Sequence, residues 1–534
     1  MRITNKVIQR NSLTNINTNK LLQDKLSQQM STEKKVNRPS DDPIVAIRAL
    51  RLRTNVNQIT QYYEKNVPDA ESWLEVTESA LSSMGEVVTD MIAQCTKGSN
   101  EDLTTSDRET ILTALKGLRD EVYSTGNADY AGRFIFTGYR TDTALTFGNT
   151  VEQKYSITEQ VNNSKIDSVT YVKSAKLPEL NENNATDPAK DFIKIDEQDI
   201  SQSEVYRLRL SYNNVDEVVT KDGKCNVKIQ IWDQTQNNNK GAFVDICEAM
   251  NIIDGVKTAS IYDPVSPYEN MADKAYGDPA IVLVKETGEL LLSESVYKKL
   301  MEQHDDAKTV HDESEIRLTY EKSNWEGKDL RPEHYFACTS NDVNYNADYL
   351  QGISDEDKQT IEYDVGLNQT IRVNTTADEV FTHDISRDVE DMIQSMEDTV
   401  TMQKQVEKLK KMLEDNEDPD RTHILENQLA AAEKAFTFLN EKTQKLFEKG
   451  ITKMQGHLDA VNFAVTENGT RGQKLELISN RLMSQKTNFE TLRSENEDID
   501  ITEVAIKLSS AELTYSSALM ATGKVLQNNL MNFI

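Results

Sequence analysis

Ser40-Asp41-Asp42-Pro43-Ile44-Val45-Ala46-Ile47-Arg48-Ala49-Leu50-Arg51-Leu52-Arg53 opens as a helix start and continues as a helix with one apolar stripe. A short polar side chain ahead of the helix accepts hydrogen bonds from its first free N–H groups, and proline at the first helical position sacrifices no bond. From there the stripe runs Val45, Ala49, Leu52, Val56, Ile59, Tyr63, Asn66, Ala70, Trp73, Thr77, Ala80, Met84, Val87 and Met91, in alternating steps of four and three. Twelve of these fourteen positions are apolar, where a chain that is 37% apolar would supply about five. Steps of that kind keep one narrow seam facing a partner helix, which is the pattern of a coiled coil. Pro68 falls inside the run, and a proline removes a helical N–H, so a kink or short break is predicted near residues 66–68.

The same step recurs at the other end. Ile501, Val504, Leu508, Ala511, Tyr515, Ala518 and Val525 lie on one face, after which the stripe slides to Leu526, Leu530 and Phe533. This predicts a helix from about 501 to the last residue. In residues 1–35 the stripe is broken (Leu13, Ile16, Leu22, Leu26 and Met30 among amides), so a helix there is marginal alone and needs a partner seam. Between 385 and 495 the period is helical again, with Val389, Ile393, Met396 and Val400 leading to Leu409 and Leu413, a turn at Asn416–Asp420, and a stripe from Leu425 through Leu446, Ile451, Val465 and Leu482 to Phe489.

The middle alternates instead. Tyr206, Leu208, Leu210 and Tyr212 are interleaved with polar residues, as are Cys225, Val227, Ile229 and Ile231, with Asp222-Gly223 as a hairpin turn between them. Ile281–Val284, Thr287-Gly288 and Leu290–Leu292 spell a second hairpin, Ile316, Leu318 and Tyr320 a further strand, and Asn181–Ala189 a loop. The expected fold is mainly α with a β-rich insertion: long N- and C-terminal helices packed as an antiparallel coiled-coil bundle, with a variable outer domain inserted between them. The expected segments are 1–40 and 496–534 (the two halves of a terminal coiled-coil domain), 41–147 and 375–495 (the two halves of a helical rod), and 148–374 (the insertion). The seam expected to carry assembly is Val45, Leu52, Val56, Ile59, Trp73, Met84, Val504, Leu508, Ala511, Tyr515, Ala518, Val525, Leu530 and Phe533.

Chemistry is sparse. The 534 residues carry a net charge of −29, which repels nucleic acid and anionic lipid. Residues 1–40 run against that trend, with eight Lys or Arg and two Asp or Glu. They contain no apolar run of a secretory signal, and no stretch of the chain approaches a membrane span. Cys95, Cys225, Cys247 and Cys338 form no CxxC pair and read as buried free thiols. The six histidines (304, 311, 334, 383, 423, 457) form no HExxH, and the acidic residues near His304 and His311 read as a solvated turn. There is no phosphate loop and no nucleophile elbow, so no catalytic, cofactor-binding or metal-binding residue is assigned. Trp73 and Tyr515 read as core, Tyr139 and Arg140 as a turn.

Several stretches resemble the flagellin superfamily, and within it the hook-associated branch. They are Met1-Arg2-Ile3-Thr4-Asn5, Asn37-Arg38-Pro39-Ser40-Asp41-Asp42-Pro43 with Arg48-Ala49-Leu50-Arg51-Leu52-Arg53, the turn Tyr130–Thr143, Gly469-Thr470-Arg471 with Arg481-Leu482, and Glu497-Asp498-Ile499-Asp500. The likeness spans about 1–147 and 360–534, while 148–359 departs from it and 404–450 is longer than the pattern. What the resemblance implies is a structural role at the junction of hook and filament, outside the cell and without catalysis. It further implies flagellar type III export and a cytoplasmic export chaperone. The implied neighbours are another hook-associated protein on the hook side, flagellin on the filament side, and copies of the chain itself in a ring. A filament subunit, or a secreted coiled-coil surface fibre or adhesin, are the alternatives left open.

Overall fold

The computed structural model describes residues 5–173, 195, 197–221, 224–233, 242–252, 255–301, 316–351, 359–417 and 419–527. The helices are α1 (Asn5–Thr32), α2 (Pro43–Gln61), α3 (Val67–Gly98), α4 (Thr105–Gly126), α5 (Ile246–Ala249), α6 (Pro267–Ala272), α7 (Glu294–Met301), α8 (Ala377–Val380), α9 (His383–Glu414), α10 (Pro419–Glu497) and α11 (Ile501–Gln527). The expected fold class holds: long helices at both ends and a β-rich middle. The expected loop at Asn181–Ala189 lies outside the described residues, as do His304 and His311.

The helix start read from Asp42-Pro43 is as drawn. Asp42 has extended backbone, and its carboxylate accepts from the N–H groups of Ile44 (3.0 Å) and Val45 (3.1 Å). The break expected near Pro68 appears as a single π turn, Tyr62–Asn66. Pro68 cannot donate to the carbonyl four residues back, and a wider turn, with Val67 N–H reaching Tyr62 C=O, carries the chain past that gap without ending the helix. The C-terminal stripes from Leu425 to Phe489 belong to one unbroken helix, α10.

The chain divides into two compact units. The first comprises residues 1–71, 363–371 and 472–534, and the second 72–362 and 372–471. The short hairpin of β16 (Glu362–Gly366) and β17 (Gln369–Arg372) thus has its turn and inner arms with the terminal helices. It is tied to them by Asn66, whose side-chain amide donates to Asp364 C=O at 2.7 Å, and by bonds from Tyr363 to Asp69 and from Arg481 to Gln369.

The second unit holds the remainder of α3, then α4, α9 and the first part of α10, together with two sheets. Helix α4 opens with a capping box, Thr104 and Asp107 bonding each other's backbone N–H (3.1 and 3.2 Å). Helices α9 and α10 are clipped by a buried hydroxyl ladder: Ser395 and Thr399 each meet Thr443, at 2.7 and 2.8 Å. Arg108, 1% exposed, reaches Asn440 at 2.9 Å from α4.

The strands before the sheets are a short pair, β1 (Asp129–Tyr130) and β2 (Arg133–Phe134). Those of the sheets are β3 (Val151–Val161), β4 (Ile166–Lys173), β5 (Ser201–Arg209), β8 (Lys228–Asp233), β9 (Ala242–Asp245), β10 (Val256–Ala259), β11 (Ile281–Val284), β12 (Glu289–Leu292), β13 (Ile316–Trp325), β14 (Ala337–Ser340) and β15 (Val343–Tyr345). A second short pair, β6 (Thr220–Lys221) and β7 (Lys224–Cys225), lies between β5 and β8. One sheet is ordered β10-β11-β12-β5-β4 and the other β15-β14-β3-β13-β8-β9. The hairpin expected at Thr287-Gly288 is present, with Ile281 opposite Leu292, and Gly288 is obligatory there. Its φ is +63°, and a Cβ would fall 2.0 Å from the Tyr212 carbonyl oxygen. The other expected hairpin is corrected. The strand through Tyr206 and Leu208 joins one sheet and that through Ile229 and Ile231 the other, while residues 222–223 themselves lie outside the described residues and Thr220–Lys221 pair only with Lys224–Cys225. A turn signal fixes a reversal but not which strands it unites.

Two arginines on β5 tie a sheet to the helices. Arg207 is nearly buried and meets Asp167 on β4 (2.8 Å), Glu289 on β12 (2.5 Å) and Asp391 on α9 (2.6 Å). Arg209 meets Asp391 (2.7 Å) and Asp388 (2.5 Å), and Asp388 also meets Lys453 of α10 at 2.8 Å, with His457 Nε2 at 3.7 Å. Burial lowers the proton affinity of Arg207, but Glu289, Asp391 and Asp167 outweigh it and hold the guanidinium well above its usual range. Burial likewise raises Asp388, and His457, Arg209 and Lys453 more than reverse it, leaving the carboxyl far below the usual carboxylate range.

Candidate assembly site

Both ends of the chain meet in the first unit. Helix α1 packs against α11 with the chains antiparallel, and Leu26, Val504 and Ala511 form a small core flanked by Met30, Ile499 and Leu508. Just beyond, the linkers pair as a short antiparallel bridge: Lys35 N–H donates to Glu497 C=O (2.7 Å) and Ile499 N–H to Glu33 C=O (3.1 Å). Side chains lock it. Arg53 grips Glu497 through two parallel bonds (2.7 and 2.6 Å), Lys34 bonds Asp498, and Ser494 donates to Asp498 at 2.7 Å. The bonds from Lys34 and Ser494 hold the Asp498 carboxyl below its usual range, and the Glu497 bond raises Arg53. Asp500 then caps α11, accepting from Thr502 and Glu503 N–H (2.9 and 3.2 Å). The Arg51-Leu52-Arg53 stretch and the Glu497–Asp500 stretch, 444 residues apart at Arg53 and Glu497, are therefore two halves of one latch.

The seam residues fall into groups. Val56 and Ile59 are buried and Val45 and Leu52 half-buried on α2. Val504 and Ala511 are buried, and Leu508, Tyr515 and Ala518 half-buried on α11. Trp73 and Met84 are buried in the second unit, where Trp73 meets Tyr130 edge-on (6.1 Å) and lies under the Arg133 guanidinium (5.0 Å). The side chain of Val525, and all of Leu530 and Phe533, lie outside the described residues.

A second stripe escaped the sequence reading. Ile506, Leu513 and Met520 recur at intervals of seven on α11, and they are 65%, 70% and 65% exposed. Ile44, Ile47 and Leu50 on α2 and Val7, Leu13, Leu21 and Leu22 on α1 are exposed as well. The signal was present in the spacing. It was masked by the stronger inner stripe, because α11 is apolar on two faces.

Nothing among the described residues forms a cluster of three or more metal-ligating side chains, and no described helix is long and apolar enough to cross a membrane. A groove of about 640 Å³ lies between α3 and α10 in the second unit, with Leu81, Gly85, Leu458 and Val461 on its floor and Glu86 and Asp90 beside it, but no His or Cys. His334 and His383 are buried and stay neutral, with burial lowering them to about 4 and about 3. Tyr139 is exposed at its turn, while Arg140 stacks over the Tyr345 ring at 4.3 Å.

Residues 3–141 match the family described as "Bacterial flagellin N-terminal helical region". The N-terminal part of this chain is therefore similar to a flagellin-type helical region. Its relatives include flagellar hook-associated protein 3 of Salmonella typhimurium, 32% identical over 170 residues (31% of this chain and 53% of the relative). The Escherichia coli protein of the same name is 33% identical over 145 residues (27% of this chain and 45% of the relative). The chain thus spans about half the length of these relatives. Flagellin of Clostridium tyrobutyricum is 27% identical over 122 residues (23% of this chain and 32% of the relative). Among solved structures, the flagellar junction protein of Legionella pneumophila aligns over 85% of this chain and 100% of its own, at 10% identity and a TM-score of 0.29. The matched region contains α1, α2, α3 and α4, and hence the N-terminal half of the latch.

Proposed function

We propose that this chain is a structural subunit of the bacterial flagellum that joins hook to filament, and that it performs no catalysis. The single observation that carries the reading is the second apolar stripe, Ile506–Leu513–Met520, left open on a helix whose first stripe is already covered by α1. A helix apolar on two faces needs two partners, and one chain supplies only one. The similarity to hook-associated protein 3 supports a flagellar assembly as the source of the other. In this reading neighbouring copies close a ring, with another hook-associated protein on one side and flagellin on the other. The seam from Val45 to Phe533 serves that assembly, segments 1–40 and 496–534 act together as its terminal coiled coil, and 148–374 is the outward-facing variable part. An export chaperone covers the C-terminal stripe before secretion through the flagellar export channel, and the mature subunit is extracellular.

The test is deletion of the gene, followed by electron microscopy of the cells and assay of the medium for flagellin. Hooks without filaments, with unpolymerised flagellin in the medium, are expected. Intact filaments would remove the junction role. The match to a flagellin keeps a filament-subunit reading in view, and abundance in sheared flagella separates the two, a junction subunit being scarce.

A further inference from the structure

Two surfaces of the chain carry opposite charge beside apolar residues. The first is the outer face of α2, where Ile44, Ile47 and Leu50 are 65%, 53% and 60% exposed. Arg48 and Arg51 stand exposed among them. Steps of three and four join these five positions, so they share one side of the helix, away from the buried Val56 and Ile59. Arg53 is committed to Glu497 in the latch, whereas Arg48 and Arg51 pair with no acid among the described residues. The second surface is the groove between α3 and α10. Leu81, Leu458 and Val461 give it an apolar floor, and the exposed Glu86 and Asp90 stand along its α3 side. These two acids pair with no base among the described residues. The groove is open because α3 carries Gly85 there. A Cβ on that residue would meet Val461 Cγ1 at 3.7 Å and Leu458 Cδ1 at 4.0 Å, which are ordinary contacts, so a larger side chain would fit and fill the space.

We propose that the outer face of α2 docks into the α3–α10 groove of a second copy of this chain. The inference rests on the reading of the chain as a flagellar subunit whose copies meet, and it names the faces that meet. Both faces are open in the single chain, and their charges are complementary. Ile47 and Leu50 enter over Gly85, and Arg48 and Arg51 reach Glu86 and Asp90. Arg48 and Arg51 are three residues apart and Glu86 and Asp90 four, each about one helical turn, so both ion pairs form at once. Apolar burial supplies the affinity, and the charges select the partner face and the register. Neither face pairs with its own kind, because arginines would meet arginines and acids would meet acids. The contact is therefore heterologous. Each pair of copies keeps one α2 face and one groove unused, so the contact repeats from copy to copy and builds a ring or a tube.

The experiment puts a photoreactive residue on the α2 face, Leu50→p-benzoylphenylalanine, in the full chain made by motile cells. Flagella detached with their hooks are irradiated. A photochemical probe is used because the chain has thiols of its own: Cys95 and Cys338 are buried, but Cys225 and Cys247 are only half-buried, which corrects the expectation of four buried thiols. A product of twice the chain mass is expected on a denaturing gel, with mass mapping that joins position 50 to residues 81–90 or 458–465. Glu86→Arg/Asp90→Arg should lower its yield about tenfold, and adding Arg48→Glu/Arg51→Glu to the same chain should restore it. Gly85→Leu removes a glycine from a helix interior, which favours the fold, and should abolish the product by filling the groove. Circular dichroism checks that each variant is folded. A product joined elsewhere, links confined to one chain, or a yield indifferent to the charge reversals would overturn the docking and leave the junction reading standing. Absence of the chain from the detached flagella would remove the junction reading, and the docking with it.

Discussion

Glu497 is 5% exposed, and both its carboxylate oxygens are taken by one guanidinium. Removing Arg53 leaves a buried acceptor pair without its charge partner, so Arg53→Ala is expected to destabilise the chain by ~1–3 kcal/mol, the usual cost of stranding such a group. Thermal or urea unfolding measures it, and Arg53→Lys should recover only part, since an ammonium cannot supply two parallel bonds. Arg207 is the more severe case. Arg207→Met takes the cation from Asp167 and the buried Glu289 and leaves Asp391 to Arg209 alone, and a loss on the order of 3–5 kcal/mol is expected from breaking a buried charge cluster on one side. The buried histidines give a pH signature. Burial lowers His334 and His383 in the folded chain to about 4 and about 3, so between those values and ~6.5 the unfolded chain holds their protons and the folded chain does not. The contribution is complete above pH ~6.5 and is lost as pH falls, with a slope of roughly 1.4 kcal/mol per pH unit per proton. His383→Phe should flatten that slope between pH 6 and 4 in urea titrations, and an unchanged slope would show that His383 takes no part. None of these ion pairs was legible in the sequence, because charged partners 40 to 444 residues apart leave no local pattern.

The elements were legible in proportion to their period. The stripe from Val45 to Met91, the α11 stripe as far as Ala518 and the Thr287-Gly288 hairpin fall on the helices and strands expected of them, because each is a local repeat of three and four or of two. The β5 and β8 strands were found but wrongly joined, since pairing is decided by sheet register rather than by the turn between them. Helix α1, read as marginal, is continuous over Asn5–Thr32, and its stability is borrowed from α11. The two faces of α11 can be separated by mutation. Ile506→Gln/Leu513→Gln/Met520→Gln should leave the helical circular dichroism signal intact and abolish self-association in sedimentation, while Val504→Ser should loosen α1 first, seen as faster amide exchange over residues 20–32. Equal self-association of the triple variant and the parent would remove the outer stripe as a contact.

At the scale of the whole molecule, charge is distributed against the grain of the fold. Residues 1–40 are net positive in a chain of net −29, and the basic side chains Lys34 and Arg53 are those that close the latch on Asp498 and Glu497. Added salt should therefore loosen the Lys34–Asp498 contact, exposed on both sides, more than the Arg53–Glu497 pair, whose carboxylate is buried, which amide exchange across residues 30–36 and 494–500 can resolve. The latch also joins residues translated far apart in time, Leu26 well before Val504. Helix α1 cannot bury its stripe until α11 exists, and closure over that separation is slow for any chain. A polypeptide stopped early, or missing its final helix, keeps α1 uncovered. The pairing thus serves as an audit of synthesis: α1 hides its stripe only once α11 has been translated.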